Sequence, residues 1–89
     1  MSQWFVYIVE CSDGTLYTGI TTDLKRRESE HNGNKKGAKY TRTRQPVKLV
    51  YNDICSDRSD ASKTECKIKK LTRVNKLILI KNGTNKNNQ

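Results

Sequence analysis

Trp4 to Val9 is an almost unbroken apolar and aromatic run, the pattern of a strand covered on both faces. Ser12-Asp13-Gly14 follows, and Asp-Gly is a hairpin-turn signal. Thr15 to Ile20 returns as the partner strand, rich in β-branched and aromatic residues. Thr21 or Thr22 then offers a helix cap, with Asp23 in the first turn. That helix is expected to reach about His31, where Asn32-Gly33 supplies a stop. Val47 to Tyr51 alternates into a third strand, and Ser59 or Ser62 is expected to open a second helix ending near Thr72. Asn75 to Lys81 contains Leu77-Ile78-Leu79-Ile80, which periodicity alone leaves open between helix and buried strand. From Asn82 the chain turns polar and is expected to fray, giving one domain over residues 1–82 and a disordered tail over 83–89. The element order predicts an α+β fold, a small sheet with helices packed against it.

Between the first helix and the third strand, residues 33–46 form a long loop with five cations, no anion and one aromatic. A loop of that length in so small a domain is usually functional or disordered.

The first predicted helix has an unusual inward stripe. Leu24 is its sizeable apolar residue, and Arg27, Glu28 and His31 follow on the same face. An amphipathic helix ordinarily places aliphatic groups there. An arginine and a histidine one turn apart suit an anionic phosphoryl group, the guanidinium by bidentate donation and the imidazole as donor or proton relay. The plainer alternative is an exposed helix edge with Arg27 paired to Glu28 or Glu30. The second helix repeats the pattern, because Glu65 lies on a stripe with Ala61, Ile68 and Thr72. A half-buried carboxylate needs a partner or a bound cation, and magnesium sites often use one or two carboxylates with phosphate oxygens. Ser62-Lys63-Thr64-Glu65 also fits a capping box, which would make Glu65 structural. Tyr7 and Tyr17 lie near each other on the sheet if the turn centres on Asp13-Gly14, and are either packing residues or catalytic phenols. A phenol acting as a base near neutral pH needs its pKa lowered by about 3 units from about 10.

Charge sharpens the reading. The chain has 89 residues, 18 Lys and Arg against 9 Asp and Glu, and a formal net charge of +9. That balance favours a polyanionic partner, nucleic acid before membrane, and no apolar run is long enough to span a bilayer. Cys11, Cys55 and Cys66 lack metal-ligand spacing and are read as reduced thiols of a cytoplasmic protein. P-loop, dinucleotide-fingerprint, zinc-protease and serine-hydrolase signatures are absent from the sequence.

Taken in order, these residues resemble the GIY-YIG nuclease superfamily, in its small stand-alone bacterial branch. Phe5-Val6-Tyr7 is similar to the first signature triplet and Tyr17-Thr18-Gly19 to the second. Arg27 and the Glu30-His31-Asn32 run follow at the family's spacing, and Glu65 falls where that branch carries a helix-borne glutamate. The stretch Lys36 to Arg42, then Pro46-Val47 and Leu49 to Tyr51, continues the likeness. Phe5 and Thr18 depart from the family's glycine and isoleucine at structural positions. The late asparagine of several branches has two candidates, Asn75 and Asn82.

The resemblance implies a three-stranded antiparallel sheet flanked by helices, with a helix over Asn75 to Lys81. It implies a catalytic set of Tyr7, Tyr17, Arg27, His31 and Glu65, with Glu65 holding one Mg²⁺ or Mn²⁺. Arg27 would stabilise charge on the scissile phosphate, and a tyrosine would position or deprotonate water. Lys35, Lys36, Lys39, Tyr40, Arg42 and Arg44 would track a nucleic-acid backbone. The expected activity is phosphodiester hydrolysis in DNA, favoured over RNA and including structured or damaged DNA, with target choice left to a protein partner. A non-catalytic nucleic-acid-binding module on the same fold is the alternative.

Overall fold

The computed structural model describes residues 3–33 and 44–87. β1 (Trp4–Glu10) and β2 (Leu16–Thr21) form the predicted hairpin, and β3 (Lys48–Cys55) adds to the other side of β1. The sheet is antiparallel with order β2-β1-β3. Gly14 closes the turn at φ 85°, a backbone region open mainly to glycine. Asp13 braces it by accepting from the Thr15 amide at 3.1 Å and the Thr15 hydroxyl at 2.6 Å.

β1 is buried because it is central. Alternation along it feeds two layers. Val6 and Ile8 pack with Tyr51, Cys55, Ala61 and Ile68 on one face, while Tyr7 and Val9 pack with Cys11 and Val47 on the other. The first face is covered by α2 (Arg58–Lys69) and α3 (Arg73–Asn87), and the second by α1 (Leu24–Asn32). The unbroken apolar run is thus a strand covered on both sides, as its pattern predicts.

Helix boundaries differ from the sequence expectation in ways that bear on the site. Asp23, not Thr21 or Thr22, caps α1, its carboxylate accepting from the Arg26 amide at 3.0 Å. Thr21 instead accepts from the Asp23 amide at 3.1 Å. Asp57, not Ser59 or Ser62, caps α2 through the Asp60 amide at 2.8 Å. An aspartate just upstream outcompetes the serines, because an ionised carboxylate also complements the helix N-terminus. Thr72 does not extend the α2 stripe; its hydroxyl accepts from the Asn75 amide at 3.2 Å and opens α3.

α3 settles Leu77 to Ile80 as helical and continues to Asn87, past the expected fraying point at Asn82. Gly83 explains the extension. A Cβ there would lie 2.6 Å from two ring carbons of Tyr51, so its bare backbone lets the helix lie flat on that ring. The tail expected over 83–89 is therefore helical as far as Asn87, and the rest of it falls outside the described residues.

Candidate active site

The strand register builds the centre of the site. Tyr7 stands opposite Gly19 on the α1 side of the sheet. A Cβ on Gly19 would collide with the Tyr7 hydroxyl and lie 2.7 Å from its Cζ. The glycine is therefore the seat of the Tyr7 ring, a close approach that a glycine inside a strand often marks. Tyr17, two positions earlier on β2, shares that face.

α1 supplies the rest. His31 is fully buried, and its Nε2 lies 2.7 Å from the Tyr7 hydroxyl oxygen. Arg27, one turn earlier, donates from Nε to the same oxygen at 3.3 Å. The Tyr17 ring meets the imidazole edge-on, with centroids 5.3 Å apart. Tyr7, Tyr17, Arg27 and His31 thus converge, and the polar stripe of α1 is an interior one.

The direction of the hydrogen bonds follows from chemistry. Arginine only donates, so the Tyr7 oxygen accepts from Arg27. With the neutral ring protonated on Nδ1, Nε2 accepts the Tyr7 proton; with the proton on Nε2, the ring donates to the Tyr7 oxygen instead. Burial, with the neighbouring Arg27 charge, lowers the His31 pKa to about 4, in agreement with a neutral ring. Burial raises the Tyr7 pKa; the bond and charge from Arg27 oppose this, and the charge of Glu65 adds to it. Desolvation outweighs the help expected from Arg27, so Tyr7 keeps its proton near neutral pH. It is a neutral phenol rather than a preformed phenolate.

Glu65 projects from α2 with 22% of its side chain exposed and pairs with Lys69 Nζ at 3.4 Å. Ser62 lies inside the helix, so the capping-box role does not apply. The Glu65 charge adds the smallest of the contributions that raise the Tyr7 pKa. Among the described residues no three metal-ligating side chains cluster. Glu65 therefore offers a single carboxylate, which fits a hydrated Mg²⁺ or Mn²⁺ completed by water and phosphate oxygens. It does not fit an ion that needs a full protein cage.

Further residues complete the surroundings of this centre. Glu30 accepts from Arg27 Nη1 at 3.1 Å. Glu28 faces inward but accepts from the Leu49 amide at 2.7 Å, beside the register shift that follows Ile8. The Asn32 side chain donates to the Val47 carbonyl at 3.1 Å and accepts from its amide at 2.7 Å. Gln45 donates to the carbonyls of His31 at 2.9 Å and Gly33 at 2.6 Å. These bonds tie the chain leaving α1 to the chain entering β3. The Arg27–Glu30 pair is one of the alternatives the helix spacing offers; the contacts of Glu28, Asn32 and Gln45 depend on long-range pairing.

Arg44 is anchored beside the hairpin turn. Its Nε donates to Asp13 at 3.0 Å, and its carbonyl accepts from the Ser12 amide at 2.9 Å. Lys35, Lys36, Lys39, Tyr40 and Arg42 lie outside the described residues. Among the described residues no helix is long and apolar enough to cross a membrane.

Comparison with known proteins gives the family. The family model described as the GIY-YIG catalytic domain matches residues 3–77. The chain is 62% identical over 78 residues to the UPF0213 protein DP2720 of Desulfotalea psychrophila, covering 88% of this chain and 71% of that one. It is 51% identical over 83 residues to the UPF0213 protein SERP0126 of Staphylococcus epidermidis, covering 93% and 100%. The solution structure of the UPF0213 protein BH0048 from Bacillus halodurans superposes with a TM-score of 0.57 at 43% identity, covering 89% of this chain and 83% of that one. The solution structure of EF2693 from E. faecalis gives 0.62 at 39% identity, covering 92% and 86%. This chain belongs to the GIY-YIG nuclease family, among its small stand-alone members.

Proposed function

We propose that this protein is a metal-dependent nuclease that hydrolyses phosphodiester bonds in DNA, structured or damaged DNA included. The observation that carries the reading is the Arg27–Tyr7–His31 chain, with contacts of 3.3 Å and 2.7 Å. It joins a permanent cation to a neutral imidazole through one hydroxyl, which is what anion binding coupled to proton removal requires.

Arg27 binds the scissile phosphate. Its charge contributes, after burial, to the depressed pKa of His31. The paired Glu30 carboxylate opposes that depression, and a phosphate taking its place on Arg27 keeps the balance. The attacking water gives its proton to the Tyr7 oxygen while the Tyr7 proton moves to Nε2, leaving Tyr7 neutral and His31 protonated. Tyr17, half-exposed against the same imidazole, orients the water. Glu65 would hold one Mg²⁺ or Mn²⁺, which supplies Lewis-acid polarisation of the phosphate when bound. The +9 net charge draws in the polyanion, and Lys35, Lys36, Lys39, Tyr40, Arg42 and Arg44 extend its track. A protein partner supplies target choice. The three free cysteines suit the reducing cytoplasm.

Incubating the pure protein with end-labelled DNA and Mg²⁺ or Mn²⁺ tests this. Wild type should cut, whereas Arg27→Ala and Glu65→Ala should lose at least about 100-fold in rate. Mutants that cut as well as wild type would refute the assigned site. The Glu65–Lys69 pair favours one second reading, a binding module whose lone carboxylate is already neutralised. In that case no cleavage occurs, and Glu65→Ala binds DNA as tightly as wild type or more so.

A further inference from the structure

Two contacts of Arg27 lie among the described residues. Nε donates to Tyr7 at 3.3 Å, and Nη1 donates to Glu30 at 3.1 Å. The Arg27 and Glu30 side chains are 26% and 22% exposed, so this pair stands partly out of water, where charge attraction is less screened. The second Glu30 oxygen lies 3.7 Å from Arg26 Nε, and Arg26 is 58% exposed. One carboxylate therefore spans two guanidinium groups, one turned into the site and one turned to solvent.

We propose that Glu30 is the positioning residue for Arg27, an internal counter-anion that holds the guanidinium against Tyr7 and passes to Arg26 when a phosphodiester arrives. The inference rests on the reading of Arg27 as the phosphate ligand. A phosphodiester carries one negative charge, as Glu30 does, so the exchange at Arg27 swaps one monoanion for another. Glu30 does not become an unpaired half-buried anion, because Arg26 is already within ion-pair range. Rotation of the carboxylate completes the transfer without moving the helix. Before exchange, the two-point hold fixes the guanidinium plane, and that orientation is what a reacting phosphate needs.

Removing the carboxylate has two opposite effects. The competing anion disappears, so phosphate binds more easily. Arg27 loses the Glu30 anchor, so the bound phosphate is less well aligned. Loss of Arg27 itself should raise KM and lower kcat together, and a folding defect would show in the circular dichroism spectrum. The expected signature of Glu30 is the split between the two constants.

The experiment pairs steady-state kinetics on a labelled DNA oligonucleotide with NMR of the arginine Nε–Hε groups, for wild type, Glu30→Gln and Glu30→Asp. Glu30→Gln should lower kcat about tenfold with KM unchanged or lower, and Glu30→Asp should recover part of the loss. On adding the oligonucleotide without metal, both the Arg26 and Arg27 signals should shift in wild type, and only Arg27 in Glu30→Gln. A kcat within about twofold of wild type, or an Arg26 signal that responds identically in both proteins, overturns the proposal. Should wild type bind DNA without cutting it, the nuclease reading fails while the arginine signals still decide the role of Glu30.

Discussion

His31 carries the clearest residue-scale consequence. Its pKa is about 4 in the folded protein against an ordinary 6.5. The unfolded chain therefore binds more protons between those values, and stability falls as the pH drops through that window. The shift corresponds to a loss of about 3 kcal/mol at most. His31→Gln should remove this component, so urea unfolding of the two proteins at pH 7 and pH 4.5 should show the wild type losing more. Equal losses would mean that the imidazole is not buried as described. Gly19 makes a second case. Gly19→Ala puts a methyl group into the Tyr7 ring and should destabilise by about 1–3 kcal/mol while displacing the Tyr7 hydroxyl from His31. Denaturant unfolding together with the Tyr7 and His31 NMR signals checks both effects. The convergence of Arg27 and His31 was readable from their spacing on one helix face. The protonation of Tyr7 was not, since desolvation depends on how the two layers close around it.

At the level of elements, α1 is a short helix whose inner stripe carries little aliphatic packing. It stays in place through polar contacts, Glu28 on the Leu49 amide and Asn32 on the Val47 backbone. Asn32→Ala leaves one backbone amide and one carbonyl without that side chain, and should destabilise by about 1–3 kcal/mol. Hydrogen exchange at the Val47 amide should rise with it. An unchanged exchange rate there would assign the hold to other contacts. The strands were legible because alternation and the Asp-Gly turn are local signals. The caps were misassigned to Thr21 or Thr22 and to Ser59 or Ser62, because neighbouring Ser, Thr and Asp residues compete for the same amides. The reach of α3 was hidden, since Asn, Gly and Thr are weak helix formers and the contact of Gly83 with Tyr51 exists only in three dimensions.

For the molecule as a whole, charge and layering act together. Net charge +9 on 89 residues predicts DNA affinity that falls linearly on a log–log plot against salt, with a slope of about −0.9 per phosphate contacted on duplex DNA. Flat salt dependence in a filter or anisotropy assay would remove nucleic acid as the partner. Tyr7 lies on the central strand and Glu65, 58 positions later, on α2, with α1 and α2 packed on opposite faces of the sheet. Sequence spacing cannot show whether two such residues share a site, and the ordered family motifs supply the expectation. The central claim is that the cation held by Glu65 belongs to the same site as Arg27, Tyr7 and His31. Titration of the protein with Mn²⁺, read as paramagnetic broadening of the His31 and Tyr7 ring signals, tests it most directly. Broadening of those signals in wild type and its loss in Glu65→Ala is the predicted result. Signals that stay sharp in wild type, or broaden equally in the mutant, would contradict it.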